Sequence, residues 1–325
     1  MKIIEQLNKL PIKSGEYLVL PNLATPYFII PIHSRDVFTN AISLVKPKNK
    51  KGRIKRIMLK FIPFFLLRKL FPIIMIQSKN CKNSYHQLIL PWNQDVGNKF
   101  TIFNFNKSNV TLEKIGFGKY REMIRNEYNS ILKVSKFGKK IIPEIIDFSD
   151  GDNFSSIETV FYKGNHPELL PSSIIEFFEN TQENSKKVKL IDHPYVNKII
   201  NEITKILKKE GLDILLDKID AHYKKHENEL IPIVLMHSDC SLTNVIECDK
   251  DNSILIDWEE CIEDGVPIDV EYFDFRMHID NGKSWKINNT INFLVVLHYI
   301  YLQIKHDNIS NLNKISWNKL EVSVI

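Results

Sequence analysis

Between residues 120 and 132, apolar side chains recur at Tyr120, Met123, Ile124, Tyr128, Ile131 and Leu132. Steps of three and four place them on one stripe of an α-helix, and Gly138 ends the pattern. Upstream, Thr101 to Phe105 and Val110 to Ile115 read as strands joined by the turn-forming Asn106-Lys107-Ser108-Asn109, so a hairpin precedes the helix. Ile141 to Phe148 and Ser156 to Tyr162 read as further strands. After Gly164 the pattern turns helical, most clearly at Val196, Ile199, Ile200, Ile203, Ile206 and Leu207, halted at Gly211. Strand-rich sequence followed by helix-rich sequence predicts an α+β protein with segregated layers, not the alternating strand and helix of a Rossmann sheet.

Residues 1 to 95 read as a separate N-terminal region, an extension with a basic amphipathic segment that is expected to pack on the N-lobe. Extended apolar runs at Tyr17 to Leu20 and Tyr27 to Ile32 are punctuated by Pro21, Pro26 and Pro31, and a basic helical stretch follows. The stretch Ile54 to Ile76 is apolar but interrupted by Lys60, Pro63, Arg68, Lys69 and Pro72, too often for a membrane span. No signal-peptide pattern opens the chain, and a cytoplasmic protein is expected.

The 325 residues are 43% hydrophobic, ample for a real core. Four cysteines, at 81, 240, 248 and 261, form no C-x-x-C pair and have no histidine at zinc-finger spacing, so reduced thiols are expected. The net charge of +5 is local: Lys46 to Lys60 holds eight basic residues and no acidic one, and removing those eight charges from +5 leaves −3. Such a segment beside Phe-rich sequence suits an anionic membrane surface. The simpler expectation is a solvated helix face whose apolar side packs on its own domain. Nucleic-acid binding calls for charge interleaved with stacking aromatics over a wider surface, and none is expected.

Chemistry concentrates in Val234 to Asp269. An apolar run delivers His237-Ser238-Asp239, Asn244 follows five residues after the aspartate, and the strand Ile254-Leu255-Ile256 ends at Asp257. Phosphoryl transfer needs one carboxylate to orient and deprotonate the attacking hydroxyl, and oxygen ligands to hold Mg²⁺ on the phosphates. An Asp, an Asn and a second Asp supply that set, since hard oxygen donors suit Mg²⁺.

This segment resembles the aminoglycoside phosphotransferase and choline kinase-like enzymes, whose motif runs H-G-D-x-x-x-x-N, then apolar-I-D-W/F-E, then G-x-P-x-x-D. The chain has His237-Ser238-Asp239, Asn244, Ile256-Asp257-Trp258-Glu259 and Gly265-Val266-Pro267-Ile268-Asp269, with Ser238 in place of the usual glycine. The resemblance implies a bilobal protein-kinase-like fold, with a strand-rich N-lobe over residues 96–163 and a helix-rich C-lobe over 164–325. It implies ATP, or another nucleoside triphosphate, and Mg²⁺ as cofactors. It further implies Asp239 as catalytic base, Asn244 and Asp257 as Mg²⁺ ligands, and His237 and Asp269 as braces of the loop. Trp258 is expected to pack.

A fold of this kind also requires a strand lysine that holds the α- and β-phosphates and a helical glutamate that fixes it. Alternation puts Lys114 on the face of Val110 and Leu112, and Glu127 lies seven residues after Tyr120 on the apolar helix stripe. Each charge is the other's obvious partner. Lys107 and Lys119 compete for the lysine role, and the turn around Asn104 to Asn109 stands where protein kinases have a glycine-rich loop. The strand Glu158 to Phe161, with Glu158 and Val160, is expected to bind adenine through its backbone.

The expected activity is transfer of a γ-phosphate to a hydroxyl of a sugar, amino sugar or amino alcohol. The acidic run Glu259, Glu260, Glu263 and Asp264 would attract a cationic acceptor. Leu20 to Pro31, L-P-N-L-A-T-P-Y-F-I-I-P, resembles kinase-like proteins of surface-polysaccharide synthesis. The alternatives are a catalytically silent nucleotide-binding protein and a peripheral-membrane factor in polysaccharide assembly.

Overall fold

The computed structural model describes residues 2–44, 50–78, 85–92, 97–138, 140–183, 185–249, 252–306, 308 and 320–321. Two compact units emerge: Met1–Tyr128 with Glu144–Phe161, and Asn129–Pro143 with Tyr162–Ile325. The first is built on strands and the second mainly on helices, the segregated α+β arrangement that the change of periodicity predicts.

Unit 1 centres on an eight-stranded sheet of β1 (Gly15–Leu20), β2 (Phe28–Pro31), β3 (Ile73–Ile76), β4 (His86–Pro91), β5 (Lys99–Phe105), β6 (Val110–Phe117), β7 (Ile145–Asp150) and β8 (Phe154–Val160). The spatial order is β3-β1-β2-β4-β5-β6-β8-β7. Alternation sorts the side chains between two apolar faces. Val19, Ile29, Ile89, Ile102 and Ile115 lie on one, against Ile3 and Leu7 of α1 (Lys2–Leu7). Leu18, Ile30, Leu88 and Phe105 lie on the other, against Phe38 and Ile42 of α2 (Arg35–Leu44).

The expected hairpin is β5–β6, paired in unbroken register from Lys99↔Gly116 to Phe105↔Val110. Its turn is fixed by the Asn106 side chain, whose Oδ1 accepts from the backbone N–H of Ser108 at 2.9 Å and of Asn109 at 2.8 Å. Ile141 to Phe148 is not all strand. β7 starts at Ile145, because Ile141 gives its carbonyl to the Leu255 N–H at 2.7 Å and Pro143 has no N–H for a ladder.

The strands of residues 1–95 are not set apart from those that follow. β4 pairs with β5 from His86↔Phe105 to Pro91↔Phe100, so backbone hydrogen bonds carry one sheet across the expected boundary. The boundary itself, at residues 93–96, and Cys81 lie outside the described residues. So do residues 45–49 of the basic segment. Its remainder forms α3 (Lys50–Phe61), followed by α4 (Phe64–Leu70). Leu59, Ile62, Phe64 and Leu67 pack on the second face of the sheet, as expected of a segment docked on its own domain. A second apolar stripe of α3 instead faces solvent: Ile54, Ile57, Met58 and Phe61 are all more than half exposed. α5 (Tyr120–Val134) is the expected amphipathic helix, with Tyr120, Ile124 and Ile131 buried and Leu132 exposed.

Unit 2 contains α6 (Ser172–Gln182), α7 (Pro194–Lys209), α8 (Asp213–His226), α9 (Asp269–Asp280) and α10 (Thr290–Lys305). Val196, Ile199, Ile203 and Leu207 of α7 point into the core, as their spacing predicts. Gly211, at φ 66°, ends α7: the Leu212 N–H reaches the Leu207 carbonyl at 2.9 Å and the Gly211 N–H reaches that of Lys208 at 3.3 Å. α10 is buried along most of its length, from Phe293 to Leu302, which explains its nearly continuous apolar sequence. Short strand pairs complete the unit: β9 (Lys187–Lys189) with β10 (Leu230–Pro232), β11 (Val234–Met236) with β14 (Ile262–Gly265), and β12 (Val245–Asp249) with β13 (Asn252–Leu255).

Candidate active site

β11 runs directly into His237-Ser238-Asp239, and its partner β14 approaches it closely at Gly265. A Cβ there would lie 2.5 Å from that of Met236, so only glycine allows this pairing. The loop turns at Ser238, whose φ of 71° is in the left-handed region. Asp269, the first residue of α9, clamps the turn: its Oδ2 accepts the His237 N–H and its Oδ1 the Ser238 N–H, both at 3.0 Å. Burial is the larger influence on this carboxyl and pushes its pKa up to about 7, against the two hydrogen bonds that favour the charged form.

Asp239 emerges from this turn beside Asn244. The Asn244 Nδ2 donates to both the backbone carbonyl and Oδ2 of Asp239, each at 2.9 Å. Asn244 closes the 3₁₀ turn Leu242–Asn244, and its carbonyl accepts the Ile256 N–H at 2.9 Å, tying the asparagine to the residue before Asp257. The β12–β13 hairpin makes that return, though residues 250–251 at its tip lie outside the described residues. Asp257 then stands at φ 71° and ψ 56°.

Burial raises the Asp239 pKa to about 6, and the nearby Asp257 charge adds to the rise while the Arg276 cation opposes it. Asp239, Asn244 and Asp257 therefore converge within unit 2. The amide oxygen of Asn244 and the Asp257 carboxylate are hard donors of the type Mg²⁺ takes, so the residues fit the ion the motif implies.

His237 Nε2 lies 3.0 Å from the Ile256 carbonyl, and its ring packs edge-on against Trp258 with centroids 4.5 Å apart. Trp258 is fully buried and donates Nε1–H to the Leu255 carbonyl at 2.7 Å, a packing role.

Three further residues escaped the sequence reading. Arg276 Nη1 is 3.5 Å from Asp239 Oδ1, and Arg276 lies seven residues after Asp269 on the same face of α9. His298 Nε2 donates to the Ser238 carbonyl at 2.6 Å, while its Nδ1 accepts from the Tyr195 hydroxyl at 2.6 Å. Burial lowers the His298 pKa to about 4, so the ring is neutral and its two partners fix the tautomer. The available signal was a lone histidine in the apolar run Phe293 to Leu302.

In unit 1, Lys114 Nζ meets both carboxylate oxygens of Glu127, at 2.7 and 2.9 Å. Lys114 is 15% exposed and Glu127 4%. The competing lysines lie elsewhere: Lys107 is exposed in the β5–β6 turn, and Lys119 sits over the Tyr120 ring. Glu158 faces Glu113 across β6 and β8, and Asn104 donates to both, at 3.2 and 3.0 Å. Thr111 also donates to Glu158, so that side chain serves the sheet. The Val160 N–H is committed to the Glu144 carbonyl at 3.0 Å and is not the donor an adenine would need.

The acidic run in unit 2 is partly neutralised, since Glu260 pairs with Lys305 and Glu263 with Lys133.

No protein-family model matches the chain, and no curated protein matches it. Solved structures do. A thermostable mutant of aminoglycoside phosphotransferase APH(4)-Ia, in ternary complex with AMP-PNP and hygromycin B, is similar at a TM-score of 0.48 and 11% identity, over 73% of this chain and 90% of that one. Spectinomycin phosphotransferase APH(9)-Ia, in complex with ADP and spectinomycin, is similar at 0.39 and 17%, over 66% and 73%. Aminoglycoside phosphotransferase APH(3'')-Id from Streptomyces rimosus is similar at 0.41 and 11%, over 67% and 92%. All three of these solved structures are phosphotransferases.

Proposed function

We propose that this protein is an ATP-dependent small-molecule kinase that phosphorylates a hydroxyl group, with Asp239 as its base and Asn244 and Asp257 as Mg²⁺ ligands. One observation carries the reading: Asn244 holds the Asp239 carboxylate on a loop clamped by Asp269, with Asp257 close enough to raise its pKa. Asp239 orients the acceptor hydroxyl and takes its proton as the oxygen bonds to the γ-phosphorus and the bond to the leaving nucleoside diphosphate breaks. A pKa near 6 suits that role, because the carboxylate is ionised at neutral pH yet more basic than an exposed aspartate. Bound Mg²⁺ would neutralise charge on the phosphates. Lys114, held by Glu127, is assigned to the α- and β-phosphates.

A sugar-like hydroxyl compound fits better than a polycationic acceptor. Lys305 and Lys133 cancel two charges of the acidic run, and Arg276 places a cation beside the base.

The test is an acceptor screen over sugars, amino alcohols and aminoglycosides, followed by Asp239→Ala on any acceptor that is phosphorylated. Turnover should fall roughly 10² to 10⁴-fold, about 3 to 5 kcal/mol in the barrier, with little change in nucleotide affinity. Full activity in Asp239→Ala would remove the assigned base. Thermal shift with ATP, with and without Mg²⁺, is the accompanying binding check, and Asp257→Ala should abolish its Mg²⁺ dependence.

A further inference from the structure

The sequence of α3, K-K-G-R-I-K-R-I-M-L-K-F, contains six basic residues and no acidic one. Its apolar positions Ile54, Ile57, Met58 and Phe61 recur at i, i+3, i+4 and i+7, the spacing that normally buries a helix against a core. Here the opposite holds. The four are 54 to 78% exposed, with Phe61 the most open, while Leu59 and Ile62 supply the contact with the domain. The patch continues over Pro63 into α4, where Phe65 and Leu70 are 62% and 63% exposed beside Arg68 and Lys69. Soluble surfaces seldom leave so many large apolar side chains side by side without a partner.

We infer that α3 and α4 form a docking surface for an anionic lipid bilayer. The charge selects the occupant. An apolar stripe on a helix with six cations and no anion matches an interface whose headgroups are negative and whose acyl boundary accepts Phe, Ile and Met. A second copy of the chain would bring the same cations into contact with one another. No helix among the described residues is long and apolar enough to cross a membrane, so the attachment lies in the plane of the surface and is reversible. This inference does not depend on the proposed kinase activity.

The experiment is co-sedimentation of the full chain with phosphatidylcholine vesicles, with and without phosphatidylserine, at low and high salt. Binding should require phosphatidylserine and vanish at high salt. Lys60→Gln with Lys69→Gln should weaken it about fivefold per charge removed, the factor that corresponds to about 1 kcal/mol per basic residue at such a surface. Ile57→Ser with Phe61→Ser should weaken it at least tenfold with unchanged thermal unfolding, since both side chains are already exposed. Absence of vesicle binding, or binding that neither pair of substitutions alters, would overturn the inference. Self-association that these substitutions abolish, without vesicle binding, would overturn it in favour of a second copy.

Discussion

Arg276 and Asn244 divide the carboxylate of Asp239 between them: the guanidinium lies 3.5 Å from Oδ1, and the side-chain amide donates to Oδ2 at 2.9 Å. The asparagine fixes orientation, whereas the arginine acts through charge. Its contacts with the Tyr272 hydroxyl and Asp280 are long, 3.4 Å each, so it is held in place without being saturated.

A pH dependence follows. As the proposed base, Asp239 must be ionised to accept a proton, and burial lifts its pKa to about 6 against the pull of Arg276. kcat/KM, which reports groups of the free enzyme, should therefore fall as pH drops through about 6. Removing the cation in Arg276→Met takes away the influence that favours the charged form, so the acidic limb should move to higher pH. A pH profile of kcat/KM checks this, and a limb that stays put in the variant would mean that Arg276 does not act on Asp239.

The Lys114–Glu127 pair gives a stability prediction. Both groups are largely out of water, so removing one partner strips the other of a bidentate ion contact, at a cost of about 3 to 5 kcal/mol. Lys114→Met should show that loss in urea unfolding. Lys114→Met with Glu127→Leu should recover most of it, because neither member of the ion pair is left behind, yet should not recover nucleotide binding. Recovery of both would reduce the pair to a structural contact.

Much of this site was legible because its chemistry is encoded in local spacing. Asp239 and Asn244 are five residues apart, and Asp257 closes a hairpin, so turn signals and a short apolar strand were enough to bring them together. Lys114 and Glu127 were legible for a different reason: each breaks an apolar alternation, and a charge on a buried face needs a partner. Arg276 and His298 were not legible, since their contacts with the loop span 37 and 60 residues and depend on how α9 and α10 pack. How the strands of residues 1–95 join the following sheet was not legible for a related reason. Proline-punctuated strands look isolated in sequence, but β-pairing between β4 and β5 is set by register across the sheet. The solvent-facing stripe of α3 was hidden because periodicity identifies an apolar face without saying what covers it.

Ser238 occupies a left-handed turn where glycine is the easy choice, and its hydroxyl donates to the Glu260 carbonyl at 2.7 Å. Strain and hydrogen bond oppose each other, so the two substitutions should separate them. Ser238→Gly relieves backbone strain of about 1 kcal/mol and loses a hydrogen bond of similar worth, leaving stability nearly unchanged. Ser238→Ala keeps the strain and loses the bond, and should be less stable by about 1 to 2 kcal/mol. Chemical denaturation of both variants decides it; equal loss in the two would show that the left-handed turn carries no strain.

His298 provides the strongest internal test of how the loop is held. Its Nε2–H is the donor to the buried Ser238 carbonyl, and His298→Phe would leave that oxygen unsatisfied, costing about 1 to 3 kcal/mol. His298→Gln can restore a donor and should recover part of the loss. The pH dependence has a definite sign. Folding lowers the pKa of this histidine from 6.5 to about 4, so between those values the unfolded chain binds a proton that the folded chain does not. The stabilisation from neutral His298 is therefore complete above pH 6.5 and is lost as pH falls toward 4, at about 1.4 kcal/mol per unit. Asp239 and Asp269, whose pKa values are raised, act in the opposite direction in both proteins and cancel in the comparison. The gap in unfolding free energy between the native chain and His298→Gln should accordingly narrow as the pH is lowered from 6.5 to 4.5. A gap that stays constant across that range would mean that the ring at position 298 is not held neutral between Tyr195 and the loop.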